Sequence, residues 1–186
     1  MAQKVERVTR EIVSLVPYDI GWPVRFEAEK QALVSRFPCG PILRIEHFGS
    51  TAIPGMPAKP IIDMLIEVSS YEQVKASVVP RLEADGCDYF WRPAFGENTP
   101  PFYTWFIKRD RRGNRMAHLH MVEPGSTLFE RLLFRDYLTA HPDCAASYAV
   151  LKIALSKRHP ADRVAYTQGK TAFILDVMEK ARAWRG

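Results

Sequence analysis

The segment Ile45-Glu46-His47-Phe48-Gly49-Ser50-Thr51-Ala52-Ile53-Pro54-Gly55-Met56-Pro57-Ala58-Lys59-Pro60-Ile61-Ile62-Asp63 sets the architecture of the chain. Residues 42–48 alternate in polarity, which predicts a strand. Residues 49–60 hold two glycines and three prolines, Pro54, Pro57 and Pro60, so a loop is predicted. Residues 61–68 are apolar and β-branched on both faces, the pattern of a central strand covered from either side.

The same segment carries candidate chemistry. Gly49 lets the backbone come close to a ligand. Ser50 and Thr51 offer hydroxyls and N–H groups suited to phosphate oxygens, and Lys59 adds a positive charge. Asp63, between Ile62 and Met64, is a carboxylate in an apolar strand, which is costly unless it is paired or bound to a cation. It is the candidate catalytic residue and could hold magnesium (Mg2+) against phosphates. Gly-Ser-Thr is also ordinary turn chemistry, and the prolines stiffen any loop, so the residues alone leave both readings open.

Upstream, residues 12–16 predict an edge strand, and a helix runs from Pro23, suited to a first helical turn, to Arg36. Downstream, Ser69 and Ser70 offer N-caps with Glu72 and Gln73 as capping-box partners. That helix places Val74, Val78 and Leu82 on one face, is kinked or split at Pro80 and ends at Gly86. Residues 87–91, 102–108 and 115–122 predict strands, the last two a hairpin. Its turn region carries Arg109, Arg111, Arg112 and Arg115, read as a solvated turn rather than phosphate contacts. Trp91, Phe102, Tyr103, Trp105 and Phe106 are expected to pack the sheet. Thr127 and Glu130 form a capping box, Pro142 starts a second helix, and Phe173, Ile174, Val177, Met178 and Ala181 mark a third. The expected architecture is an α/β (α+β) fold in one domain, 1–186. Its mixed sheet spans about residues 42–122 and its C-terminal helices about 126–184.

His118 and His120 fall on one strand face by alternation. With Asp63 they would make a His-His-carboxylate metal site, which suits zinc, manganese or iron better than magnesium. Ordinary hydrogen bonding in a strand is the competing reading, and His47 is a further candidate ligand. Arg135, Lys152 and Lys170, near Tyr137, Tyr148 and Tyr166, either line a cleft or make helix-surface ion pairs.

The chain has 186 residues, 47% hydrophobic and 25% charged, which excludes a disordered or collagen-like chain. No apolar run reaches the roughly 18 residues a membrane helix needs, and the charged segment 4–11 lacks a secretory pattern. Cys39, Cys87 and Cys144 are dispersed and odd in number, against a disulfide framework or a zinc–thiolate site. A cytoplasmic protein is expected. The net charge of +5 is uneven: residues 1–93 carry −1 and residues 94–186 carry +6. The basic half points to an anionic partner, a nucleotide or phosphorylated small molecule, with nucleic acid not expected from so modest an excess.

The run from Glu46 to Met56, followed by Ala58-Lys59-Pro60-Ile61-Ile62-Asp63, resembles the GrpB family, grouped with the nucleotidyltransferase superfamily. Tyr18-Asp19 with Trp22-Pro23 and Phe26, His118-Leu119-His120, and Phe134-Arg135-Asp136-Tyr137-Leu138 with His141-Pro142 extend the resemblance. So do Tyr148 with Leu151-Lys152, and Tyr166-Thr167 with Lys170; about residues 15–180 are covered. The resemblance implies a nucleotidyltransferase-like fold in which Gly49 and Ser50 meet a triphosphate and Asp63 holds divalent ions (Mg2+ or Mn2+, with Zn2+ as the alternative). The superfamily pairs that acid with a second one two residues on, but here the position is Leu65. Glu67 lies about 13 Å from Asp63 along the strand. Two-metal sites place their ions about 3.5–4 Å apart, so Glu67 is no substitute. Three functions follow: metal-dependent nucleotidyl transfer, a non-catalytic nucleotide or phosphate-binding module, and a His-His-Asp metal site with hydrolytic chemistry.

Overall fold

The computed structural model describes residues 12–94 and 100–186, so segment 4–11 lies outside the described residues. Asp19 opens the fold by accepting from the Gly21 amide at 2.7 Å. Trp22 begins helix α1 (Trp22–Arg36), fully buried and edge-on to Tyr18, with Pro23 in the first turn as expected. Strand β1 (Ile42–Phe48), a 3₁₀ turn (Ser50–Ala52) and strand β2 (Ile62–Val68) follow. The next helical stretch, α2, has three parts: Tyr71–Gln73, a π-helical turn Val74–Val78, and Val79–Ala84. Pro80 opens the third part. It has no N–H to donate backwards, and the wide turn before it absorbs that loss. Strands β3 (Asp88–Pro93), β4 (Phe102–Arg109) and β5 (Arg115–Val122) complete the sheet. After a 3₁₀ turn (Thr127–Glu130) come helices α3 (Arg131–Ala140), α4 (Pro142–Arg158), α5 (Arg163–Gln168) and α6 (Thr171–Arg185).

The five strands lie in the order β1-β2-β5-β4-β3. β2 is parallel to β5, and the other neighbouring pairs are antiparallel, so the sheet is mixed. β2 is interior, as its unbroken apolar run requires. On one face Met64, Ile66, Leu119, Met121 and Phe106 pack under Trp22, Leu33, Val74 and Val78 of α1 and α2. On the other face Phe48, Leu65, Tyr103, Trp105 and Val122 make an apolar floor with Leu128. The loop after β1 is the seam to the C-terminal helices: Ile53 and Met56 are buried among Leu138, Tyr148 and Val177. Each such side chain contributes about 1.5–3 kcal/mol by leaving water, enough to hold the loop against the helices.

Several local expectations change. Residues 12–16 form no strand; Val16 makes an isolated bridge to Ala58, and the Val13 amide donates to Pro160 O. Pro17 and Pro57 stand beside the bridging pair and have no N–H with which to extend it into a ladder. Ser126, not Thr127, caps the turn before α3, accepting from the Leu128 amide at 3.3 Å. Four helices follow the sheet instead of three. The extra one, α5, is too short for periodicity to reveal and is held by Asp162 accepting from Val164 and Ala165 at 3.0 and 2.9 Å. Arg111 and Arg112 are solvent-exposed as expected, but Arg109 is buried against Asp88 at 2.8 Å and Arg115 is buried beneath the site. Tyr103, Trp105 and Phe106 are core, while Trp91 is partly exposed under the Lys75 ammonium. Ser70 caps α2 through the Gln73 amide at 3.1 Å. Ser70→Ala is expected to cost about 1 kcal/mol in a urea unfolding titration.

Candidate functional site

The parallel register of β2 and β5 sets Asp63 beside His118 and Leu65 beside His120. Asp63 Oδ1 lies 2.8 Å from His118 Nδ1 and 3.9 Å from His120 Nε2. Ligand atoms of the three residues all fall within 4.8 Å of one another. The Asp63 side chain keeps 28% of its surface exposed, so the carboxylate is reachable.

Hydrogen bonds assign the protons. Arg115 Nη1 stands 3.2 Å from His118 Nε2. A guanidinium only donates, so Nε2 accepts and Nδ1–H donates to Asp63. His120 Nδ1 meets the Tyr103 hydroxyl at 3.1 Å, while its Nε2 is buried with no hydrogen-bond partner among the described residues. Burial works to raise the Asp63 pKa, but the hydrogen bond from His118 and the adjoining His120 hold it well below the usual carboxylate range. Burial lowers the pKa of His118 and pushes that of His120 down to about 4, with Asp63 pulling both upward. The cluster is therefore one anion with two neutral imidazoles, the protonation state a metal ion requires.

The donor set fits one zinc, manganese or iron ion better than two magnesium ions. Leu65 stands where a second acid would be and is locked into the apolar floor, and Glu67 is turned to Arg44 at 3.5 Å. His120 Nε2 and Asp63 offer open donor atoms to a shared ion. His118 can join them only if its Nδ1 proton moves to Nε2, which requires the Arg115 donor to turn aside.

Gly49 has φ 74° and ψ −172°. A Cβ there would strike Asp63 Oδ2, so what the glycine admits is the carboxylate itself. Thr51 is buried; its hydroxyl donates to Ile61 O at 3.4 Å and meets His47 Nε2 at 3.0 Å, tying the loop to both strands. His47 is not part of the metal cluster. It pairs with Met64 on the opposite sheet face, stacks on Phe26 at 4.6 Å, and burial lowers its pKa to about 4. Ser50 hydrogen-bonds the Tyr148 hydroxyl.

Lys59 on the loop lies within reach of the charges of Lys170 and Asp63, and Lys152 on α4 within reach of the same two. Lys152 on α4 is 1% exposed and donates to Pro57 O. Lys59 and Lys170 place their ammonium groups 5.6 and 4.4 Å from the Tyr166 ring centre. Among the described residues, no carboxylate lies within ion-pair distance of Lys59, Lys152 or Lys170. The helix-surface ion-pair reading therefore fails for Lys152 and Lys170, because both turn inward. It holds for Arg135, which pairs with Glu46 and Asp136 at 3.4 and 2.7 Å and donates to His47 O. Burial lowers the pKa of Lys59 and Lys152 to about 7 and that of Lys170 to about 8. A signal for Lys152 was present in Tyr148-x-x-x-Lys152, since on a helix a lysine four residues after a buried tyrosine shares its face. Lys170 lies in the turn after α5, where no helical spacing marks it.

The family model of the GrpB protein matches residues 12–180. This chain belongs to the GrpB family. The UPF0157 protein YqkA of Bacillus subtilis (strain 168) is 43% identical over 175 residues, covering 93% of this GrpB chain and 48% of that protein. The GrpB chain thus spans about half the length of that relative. A dephospho-CoA kinase of Mycolicibacterium paratuberculosis is 32% identical over 201 residues, covering 96% of this chain and 48% of the kinase. The crystal structure of conserved protein GrpB from Enterococcus faecalis superposes with a TM-score of 0.77 at 31% identity, covering 92% of this chain and 99% of the other. Among the described residues, no helix of this GrpB protein is long and apolar enough to cross a membrane.

Proposed function

We propose that this GrpB protein binds a phosphorylated ligand of the nucleotide class over Asp63, next to one divalent transition-metal ion held by Asp63 and His120 with His118 as third ligand. The observation that carries this reading is the buried His120 Nε2, which makes no hydrogen bond among the described residues and lies 3.9 Å from a carboxylate that remains open to a ligand. A buried imidazole nitrogen without a partner is expensive, and a shared cation removes that cost. The ion would polarise a phosphoryl oxygen or activate a water molecule. Ser50 and the Lys59 ammonium flank the place where phosphate oxygens would lie, and His118 joins the ion once its proton sits on Nε2 and the Arg115 donor has turned aside. Leu65 favours binding, or chemistry at one metal, over two-metal nucleotidyl transfer. The likeness to a protein named dephospho-CoA kinase supports a nucleotide-like ligand.

The test is thermal unfolding of metal-stripped protein against zinc, manganese and magnesium. Zinc or manganese at a hundred times its dissociation constant is expected to raise the melting temperature by roughly 5–10 °C. Asp63→Asn and His120→Ala are expected to lose that shift, and His118→Ala to weaken it. An undiminished zinc shift in Asp63→Asn would end the metal reading.

A further inference from the structure

We infer that Tyr103 is a positioning residue for the metal ion. Its hydroxyl donates to His120 in the metal-free protein and turns to accept from it when an ion binds, which lets His120 present a bare Nε2. This rests on the metal reading of the Asp63 site and adds the group that governs entry of the ion.

The His120 ring is not free to choose its ligand atom by rotating. Phe48 meets it edge-on at 5.0 Å, Tyr103 stacks beside it at 5.6 Å and Trp105 tilts against it at 6.0 Å, between ring centres. Tyr103 on β4 and His120 on β5 are both buried, and Trp105 is the residue directly opposite His120 in the strand register. Held this way, Nδ1 lies 3.1 Å from the Tyr103 hydroxyl and Nε2 lies 3.9 Å from Asp63 Oδ1. Among the described residues, the Tyr103 hydroxyl is the hydrogen-bond partner of His120.

With the ring fixed, the single proton of the neutral imidazole decides what Nε2 can do. Without an ion, a bare Nε2 would aim its lone pair at the Asp63 carboxylate, and the two repel. A proton on Nε2 turns that repulsion into attraction, although 3.9 Å is too long for a hydrogen bond. Nδ1 is then an acceptor, and the Tyr103 O–H donates to it. An ion between Nε2 and Asp63 reverses the preference: Nε2 must be bare, and Nδ1–H donates to the Tyr103 oxygen. The imidazole carries one proton in both states and the phenol keeps its own. The imidazole proton exchanges through water, and the hydroxyl only turns.

A hydroxyl can take either role, and a guanidinium cannot. Arg115 Nη1, 3.2 Å from His118 Nε2, only donates, so it pins the His118 proton on Nδ1, where it meets Asp63 at 2.8 Å. The difference between a tyrosine and an arginine as partner therefore makes His120 the imidazole that takes the ion first.

The experiment has two arms on the full chain. Nitrogen-15 NMR of histidine-labelled protein reads the His120 tautomer, its signals assigned by their loss in His120→Ala. Wild type is expected to carry the proton on Nε2 when metal-free and on Nδ1 when zinc-loaded. Zinc affinity is measured by competition with a chromophoric chelator, and Tyr103→Phe is expected to weaken it about 10–100-fold. Phenylalanine keeps the packed ring, so the loss reports the hydroxyl, and His118 should keep its proton on Nδ1 in the metal-free variant. A proton on Nδ1 of His120 in metal-free wild type, or on Nε2 with zinc bound, overturns the inference. So does Tyr103→Phe binding zinc as wild type does, an outcome that leaves the metal reading standing. Failure of wild type to bind zinc defeats the metal reading and the turning hydroxyl together. Should Tyr103→Phe fail to fold, the two wild-type spectra decide the matter.

Discussion

Gly49→Ala is expected to destabilise this protein by about 3–5 kcal/mol and to abolish zinc binding. Two costs combine. At φ 74° and ψ −172° the backbone occupies a region that only glycine enters freely, and forcing a side chain there costs about 1–3 kcal/mol. The new methyl also strikes Asp63 Oδ2. Moving that carboxylate breaks its bond to His118, a charge-assisted hydrogen bond worth about 1.5–3 kcal/mol. Gly55 is the control. It has φ 74° too, but a Cβ there meets open space, so Gly55→Ala should cost only about 1 kcal/mol and spare zinc binding. Urea midpoints of the two variants separate the effects, provided the slopes agree. If Gly49→Ala proves no more harmful than Gly55→Ala, close approach to Asp63 is not what demands the glycine.

The second large effect concerns pH. Burial lowers the Lys152 pKa from 10.5 to about 7 in the folded protein. Between those values the unfolded chain binds a proton that the folded chain does not, so stability rises with pH across that window. Below about pH 7 both states are protonated, and the cost of burying the charge is fully present. The wild-type protein should therefore gain about 2 kcal/mol relative to Lys152→Met between pH 7 and pH 9. The charges facing Lys152 are Lys170, which lowers its pKa further, and Asp63, which raises it. Comparing wild type with Lys152→Met cancels most other titrations. Parallel pH curves for wild type and variant would show that Lys152 folds with its charge already satisfied.

Much of the architecture can be read locally. The unbroken apolar run of β2 announces an interior strand, the prolines after Gly49 announce a loop, and Pro23 announces the first turn of α1. The carboxylate of Asp63 in an apolar strand marks the site without any partner in view. Less local features escape. The strap at residues 12–16 looks like a strand because its composition says nothing of the prolines it meets. The inward turn of Lys152 and Lys170 is not decided by sequence, which leaves a cleft lining and surface ion pairs equally open, because a lysine near a helix end or face is ordinarily solvated. His47 looks like a ligand because it lies two residues before Gly49, yet alternation puts it on the far face, against Phe26.

Sequence alone determined that this chain would build strands around a rigid loop beside a lone acid, since apolar periodicity and proline act over a few residues. Tertiary structure decided which groups that acid meets. Asp63 and His118 lie 55 positions apart and touch only because β2 and β5 run parallel in one register. That register follows from both sheet faces finding their cover at once, and a slip of one residue would turn Asp63 and both histidines to opposite sides. Likewise, no stretch of sequence contains the gathering of Lys59, Lys152 and Lys170; the packing of the loop against α4 and Tyr166 brings them together.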